Sequence, residues 1–99
     1  MENPLTILLS LKTPTGYDVI GEYELGPDQD AAYALFDSLA GNPKLDEQAL
    51  LHVDLIEAPP VLAEKVRSKC CTLDELTANT RLIVREIFRQ KNLRSLDEL

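Results

Sequence analysis

The sequence has no tryptophan, only three tyrosines and two phenylalanines, and just two cysteines and one histidine. So few rings leave little material for a base-stacking platform or an apolar ligand pocket. Two cysteines in 99 residues do not make a disulfide framework, and small oxidised scaffolds are far denser in them. Long apolar runs are also missing. The longest, Leu5 to Leu11, is broken by Thr6 and Ser10 and falls well short of the roughly 18 residues of a membrane span. It follows Glu2 rather than a basic segment, so it does not read as a secretory leader. A reducing, cytoplasmic setting is expected, with residues 1–99 as one domain. The C-terminal "LDEL", Leu96 to Leu99, resembles a luminal retention signal. Without a visible route into that compartment it reads as coincidence.

Bases are scarce too, with 10 Lys and Arg against 17 Asp and Glu and a net charge of -7. A field of that sign repels nucleic acid and anionic membrane. The imbalance is uneven: residues 1–79 hold 5 bases and 14 acids, whereas residues 80–94 hold 5 bases and 1 acid.

Against these absences, the periodicities are clear. Leu5, Ile7, Leu9 and Leu11 alternate with other residues, as do Tyr17, Val19, Gly21, Tyr23 and Leu25. A period of two predicts strands with one buried face. "KTPTG", Lys12 to Gly16, supplies a turn, so the two strands are expected to form a hairpin. Keeping both apolar sets on one face places Leu11 opposite Tyr17 and Leu9 opposite Val19, with Leu8 opposite Ile20 on the other face.

A helix follows, capped by Asp28 or Gly26 with Pro27 in its first turn, and striped by Ala32, Leu35, Phe36 and Leu39. Gly41 reads as its left-handed cap. Leu51, Val53 and Leu55 then mark a third strand, parallel to the second through a right-handed crossover. The expected strand order is 2-1-3 with antiparallel neighbours.

Two helices are expected to complete the chain. Pro59 or Pro60 opens the first, whose apolar row is Leu62, Val66 and Cys70. The second begins at Thr72 and carries Leu73, Leu76, Thr80, Ile83 and Ile87 over about 20 residues, roughly 30 Å. The fold class is α+β, in the order ββαβαα, with two layers related to split β-α-β arrangements. Residues 95–99 read as a frayed tail. "SLDE", Ser95 to Glu98, is a capping box without a helix to follow it.

Four groups of residues carry candidate chemistry. "TLDE", Thr72 to Glu75, is a capping box, which makes Cys71 the residue before the cap, stapled on Leu76. Cys70 and Cys71 then read as small buried hydrophobes. The functional alternative is that the positive helix end lowers the Cys71 pKa and makes it a redox-sensitive thiolate.

His52 and Asp54 share a strand face, where a carboxylate could orient an imidazole. No nucleophile accompanies them by pattern. An enzyme would need a cleft joining them with a tyrosine and Cys70.

Arg81, Arg85 and Arg89 form a basic row that complements the helix dipole and offers a phosphate-binding stripe as the alternative. Leu8, Ile20 and Ile56 form an apolar cluster on the face assigned to solvent. A final helix covering it is the favoured reading, and a dimer or partner surface is the alternative.

The chain carries no P-loop, dinucleotide fingerprint, zinc pattern or nucleophile elbow, and neither a cofactor nor a metal is expected. The leading expectation is a small non-catalytic interaction or regulatory module. It would bind a protein partner or a second copy through Leu8, Ile20 and Ile56 or through the basic row. The alternatives are a small enzyme or ligand-binding protein using His52 and Asp54, and phosphate or nucleic-acid binding through the arginines.

Overall fold

The computed structural model describes residues 4–26, 28–44, 49–57 and 64–91. Strands β1 (Leu5–Thr13) and β2 (Gly16–Glu24) are followed by helix α1 (Gln29–Ser38). Strands β3 (Leu51–Glu57) and β4 (Glu64–Cys71) and helix α2 (Leu73–Gln90) complete the order ββαββα. The four strands form one antiparallel sheet in the order β2-β1-β3-β4. The expected 2-1-3 arrangement is present, and β4 extends it. Leu62, Pro59, Pro60 and residues 92–99 lie outside the described residues.

One sheet face is covered. Leu5, Ile7, Val53 and Leu55 are fully buried against Ala32, Phe36 and Leu39 of the α1 region and Ile83 of α2. Removing each such large side chain from water contributes about 1.5–3 kcal/mol. Both helices pack on this face. Leu8 is on the opposite one, so the expected final-helix cover over Leu8 does not form.

The hairpin is tighter than the pattern suggested. Thr13 pairs with Gly16 across a two-residue turn, where the Thr13 hydroxyl donates to the Gly16 carbonyl at 3.0 Å. Leu11 therefore faces Asp18, and Val19 faces Ser10. Between Leu9 and Ser10 the register shifts, leaving Ile20 as the extra residue of a bulge. A bulge changes which face the following residues occupy. Gly21 and Tyr23 thus meet Leu9 and Ile7 on the core side, while Tyr17 and Val19 turn to the other face. A Cβ on Gly21 would come within 3.3 Å of Leu9 Cδ1, so the glycine makes room for the buried leucine.

The caps follow the sequence more closely. Asp28 caps α1, accepting from the Ala31 amide at 3.1 Å. In α2, Thr72 accepts from the Glu75 amide, and the Glu75 carboxylate accepts from the Thr72 amide. Leu73, expected on the α2 stripe, is instead 73% exposed in the first turn. Gly41 is not the cap of α1; Leu39 occupies that position in an extended conformation. The positive φ of Gly41, 147°, serves a close approach, since a Cβ there would lie 2.8 Å from the Cys70 carbonyl oxygen. Beside it, Asn42 and Cys70 exchange backbone hydrogen bonds of 2.8 and 2.9 Å.

The largest correction concerns residues 64–71, which form a strand rather than the C-terminal part of a helix. Opposite Leu55 and Val53 on the core side stand Arg67 and Lys69, whose long apolar stems can cover a core edge while their heads reach outward. The Lys69 ammonium donates to the carbonyls of Phe36, Asp37 and Leu39 at 2.8, 3.3 and 2.8 Å. The last turn of α1 has no basic residue of its own, so β4 supplies the cation that a helix C-terminus favours. Arg67 pairs with Asp37 at 3.4 Å and lies over the Tyr33 ring. Two basic residues on the inward side hide the alternation that would have marked the strand.

Asn79 closes the helical layer. It is fully buried, accepting from the Ala40 amide at 2.7 Å and donating to the Ala40 carbonyl at 2.8 Å.

Two substitutions test these ties by urea denaturation. Lys69→Met should lower stability by about 1.5–3 kcal/mol, the range for hydrogen bonds made by a charged group. Asn79→Ala should cost about 2–4 kcal/mol, from the Ala40 groups left unpaired and the space left behind.

Candidate functional site

The sheet face opposite the helices is laid out in rows, because residues opposite one another on paired strands point the same way. One row runs Val19, Ser10, His52 and Cys70; the next runs Glu22, Leu8, Asp54 and Ser68. Ser10, His52, Asp54 and Cys70 are each under one-tenth exposed, and the imidazole, the carboxylate and the thiol find partners. The His52 Nε2 lies 3.1 Å from the Ala49 carbonyl oxygen. A carbonyl only accepts, so in the neutral imidazole Nε2 carries the proton and Nδ1 presents a lone pair. That lone pair faces the Cys70 Sγ at 3.8 Å, and the thiol donates to it. The Tyr17 ring meets the imidazole edge-on, with centroids 5.1 Å apart.

Asp54 is engaged elsewhere. Its Oδ1 accepts from the Ser68 hydroxyl at 2.6 Å and lies 3.6 Å from the Lys65 ammonium. His52 and Asp54 do share a face, as expected, but the carboxylate does not orient the imidazole. The backbone at Ala49 does. Of the four groups an enzyme would have to assemble, His52, Cys70 and Tyr17 meet and Asp54 does not. The helical spacing of Leu62, Val66 and Cys70 obscures the strand that carries Ser68 and Cys70. The alternation of Ser68 and Cys70 with Arg67, Lys69 and Cys71 was the available signal.

The adjacent cysteines diverge. Cys71 is opposite Leu51 on the core side, and Cys70 is opposite His52 on the other; neither is in a disulfide. Burial pushes the Cys71 thiol above its ordinary pKa of 9.0, assisted by the charge of Glu75 and by Cys70. That direction is opposite to the one a thiolate sensor at the helix N-terminus requires.

The apolar cluster is looser than expected. Leu8 lies between Glu22 and Asp54, while Ile56 lies between Thr6 and Lys65. Ile20 is in the bulge and half-exposed, so it does not face Leu8. Tyr17, Val19 and Ile20 instead form an apolar group along β2, each at least half-exposed.

Arg81, Arg85 and Arg89 are all exposed on α2. Arg89 is bound to Glu86 through Nε at 2.9 Å and through Nη2, and that bond is the main reason the Glu86 carboxyl stays below its usual range. Leu35, Leu82, Arg85, Glu86 and Arg89 line an open groove of about 510 Å³ between the helices. Among the described residues, no group of three or more His, Cys, Asp or Glu could hold a metal ion, and no helix is long and apolar enough to cross a membrane. Comparison with protein-family models, curated proteins and solved structures finds no match.

The raised Cys71 pKa gives a pH dependence with a defined sign. The folded thiol keeps its proton to higher pH than the unfolded one. Its contribution is therefore complete below the unfolded thiol's range and declines as pH rises through that range toward the folded value. Between about pH 7 and about pH 10, which bracket an ordinary thiol pKa, the urea midpoint should fall less for Cys71→Ala than for wild type. Equal declines would show that burial does not hold this proton.

Proposed function

We propose that this domain is a protein-interaction module that binds an extended, basic and apolar segment of a partner along β2 and the adjoining part of the sheet face opposite the helices. The observation that carries the reading is the exposure of Tyr17, Val19 and Ile20, at 55%, 57% and 50%, on a nine-residue terminal strand of the sheet. Among the described residues no strand pairs with the outer edge of β2. An edge of this kind offers backbone hydrogen bonds to an added strand, and alternate side chains supply specificity.

Charge selects the partner. Asp18, Glu22 and Glu24 are exposed on the same strand in a chain of net charge -7. Pairing two copies of β2 would bring these acids against one another, and opposed like charges destabilise a strand pair. Tyr17, Val19, Glu22 and Glu24 stand opposite Lys12, Ser10, Leu8 and Thr6 and so share one face; a segment whose alternate residues are apolar beside Tyr17 and Val19 and basic beside Glu22 and Glu24 would meet both sets. Leu8 and Ile56 extend the apolar contact toward the middle of the sheet. The basic row of α2 has no part in this reading.

A short strand-forming peptide with Val at two alternate positions and Lys at the next two is the test probe, with Glu in place of Lys as its control. The basic peptide should shift β2 amide resonances and bind more weakly as salt rises, and Glu22→Lys with Glu24→Lys should weaken it by about tenfold or more, about 1.4 kcal/mol. Equal binding of the two peptides, or a concentration-dependent dimer with no peptide binding, would overturn the reading.

A further inference from the structure

The His52 and Cys70 pair adjoins β2 through Tyr17, but its chemistry is carried by different observations. A thiol becomes a strong nucleophile when it loses its proton, and an imidazole lone pair in hydrogen-bond contact is the usual acceptor for that proton. Three features of this pair fit that role. The Ala49 carbonyl fixes the proton of His52 on Nε2, at 3.1 Å. The remaining lone pair on Nδ1 is directed at the Cys70 Sγ, at 3.8 Å. Both residues lie on the face opposite the helices, and each is under one-tenth exposed. Such burial excludes a bulky electrophile, which restricts the reaction to small ones.

We propose that Cys70 is a thiol that reacts with small hydroperoxides and that His52 takes up its proton. In the reaction the S–H proton moves to His52 Nδ1, and the thiolate attacks the nearer peroxide oxygen. An S–O bond forms as the O–O bond breaks. The departing alkoxide or hydroxide then takes the proton from Nδ1. Sulfur is oxidised to a sulfenic acid, the hydroperoxide is reduced to the alcohol or water, and His52 returns to its starting state. Cys71 does not take the product further within the native sheet, because its thiol lies on the core side opposite Leu51. The sulfenic acid therefore persists long enough to be trapped.

The test is oxidation of the native full chain with hydrogen peroxide in the presence of a 1,3-diketone that traps sulfenic acids. Peptide mass spectrometry after digestion assigns the adduct to one cysteine or the other. Cys70 should be trapped at least about tenfold faster than Cys71, a conservative figure beside the roughly 10²–10⁴ that a positioned base contributes. His52→Asn should lower the Cys70 rate by a similar factor, and Cys71→Ser should leave it unchanged. A second comparison needs no variant: Cys70 in the native protein should react faster than the same thiol in urea-unfolded chain at equal pH. Trapping at Cys71, equal rates at the two cysteines, or a native Cys70 rate at or below the unfolded one would overturn the proposal.

Discussion

The structure depends on the burial of one face of the central strand pair. Leu5, Ile7 and Leu9 of β1 and Val53 and Leu55 of β3 are covered by both helices, and a chain of this length builds one such layer and no more. The remaining features accommodate that face. The β2 bulge keeps Gly21 and Tyr23 inward while letting Tyr17 and Val19 turn outward. The Lys69 ammonium ties β4 to the end of α1, and Asn79 ties α2 to Ala40 just beyond the same helix. In these two places the packing of a helix is fixed by hydrogen bonds to backbone groups at a helix end, where backbone groups lack partners.

With the apolar burial confined to one side, the other side of the sheet is organised by hydrogen bonds. Ser68 and Lys65 satisfy Asp54, and Ala49 and Cys70 satisfy His52. No buried side-chain nitrogen or oxygen among the described residues lacks a partner. Polar groups that are buried and fully paired can fix a single arrangement where apolar packing would leave several. The cysteine dipeptide shows the contrast between the two sides most sharply. Neighbouring residues of a strand point to opposite faces, so one thiol belongs to the core and the other to a polar row beside an imidazole.

Sequence periodicity resolved the elements whose inward side is apolar. β1, β3, α1 and α2 were legible for that reason, and the Asp28 cap and the Thr72 capping box were legible from local hydrogen-bond chemistry alone. β4 was not, because Arg67 and Lys69 face the helix layer with their stems, and stems do not register as apolar in a pattern. The β2 register was lost for a different reason. A bulge is an agreement between two strands, and it interrupts the alternation at Ile20 without leaving a mark in either strand alone. Of the candidate site, the shared face of His52 and Asp54 was readable. The pairing of His52 with Cys70 needed the position of β4, and Asn79 needed the path of the chain after α1.

The hydrogen bonds between Asn42 and Cys70 make the two sides of the sheet unequal. On the β4 side, a strand arriving alongside would meet the backbone of Asn42 at Cys70, where the donor and acceptor are already taken. On the β2 side, no described strand occupies the place of a newcomer. A sheet with two open sides can lengthen indefinitely by adding copies of itself, whereas one blocked side makes each addition a last step. Here a glycine and an asparagine occupy the backbone of β4 at Cys70, so the two sides of the sheet are not equivalent as places for an added strand.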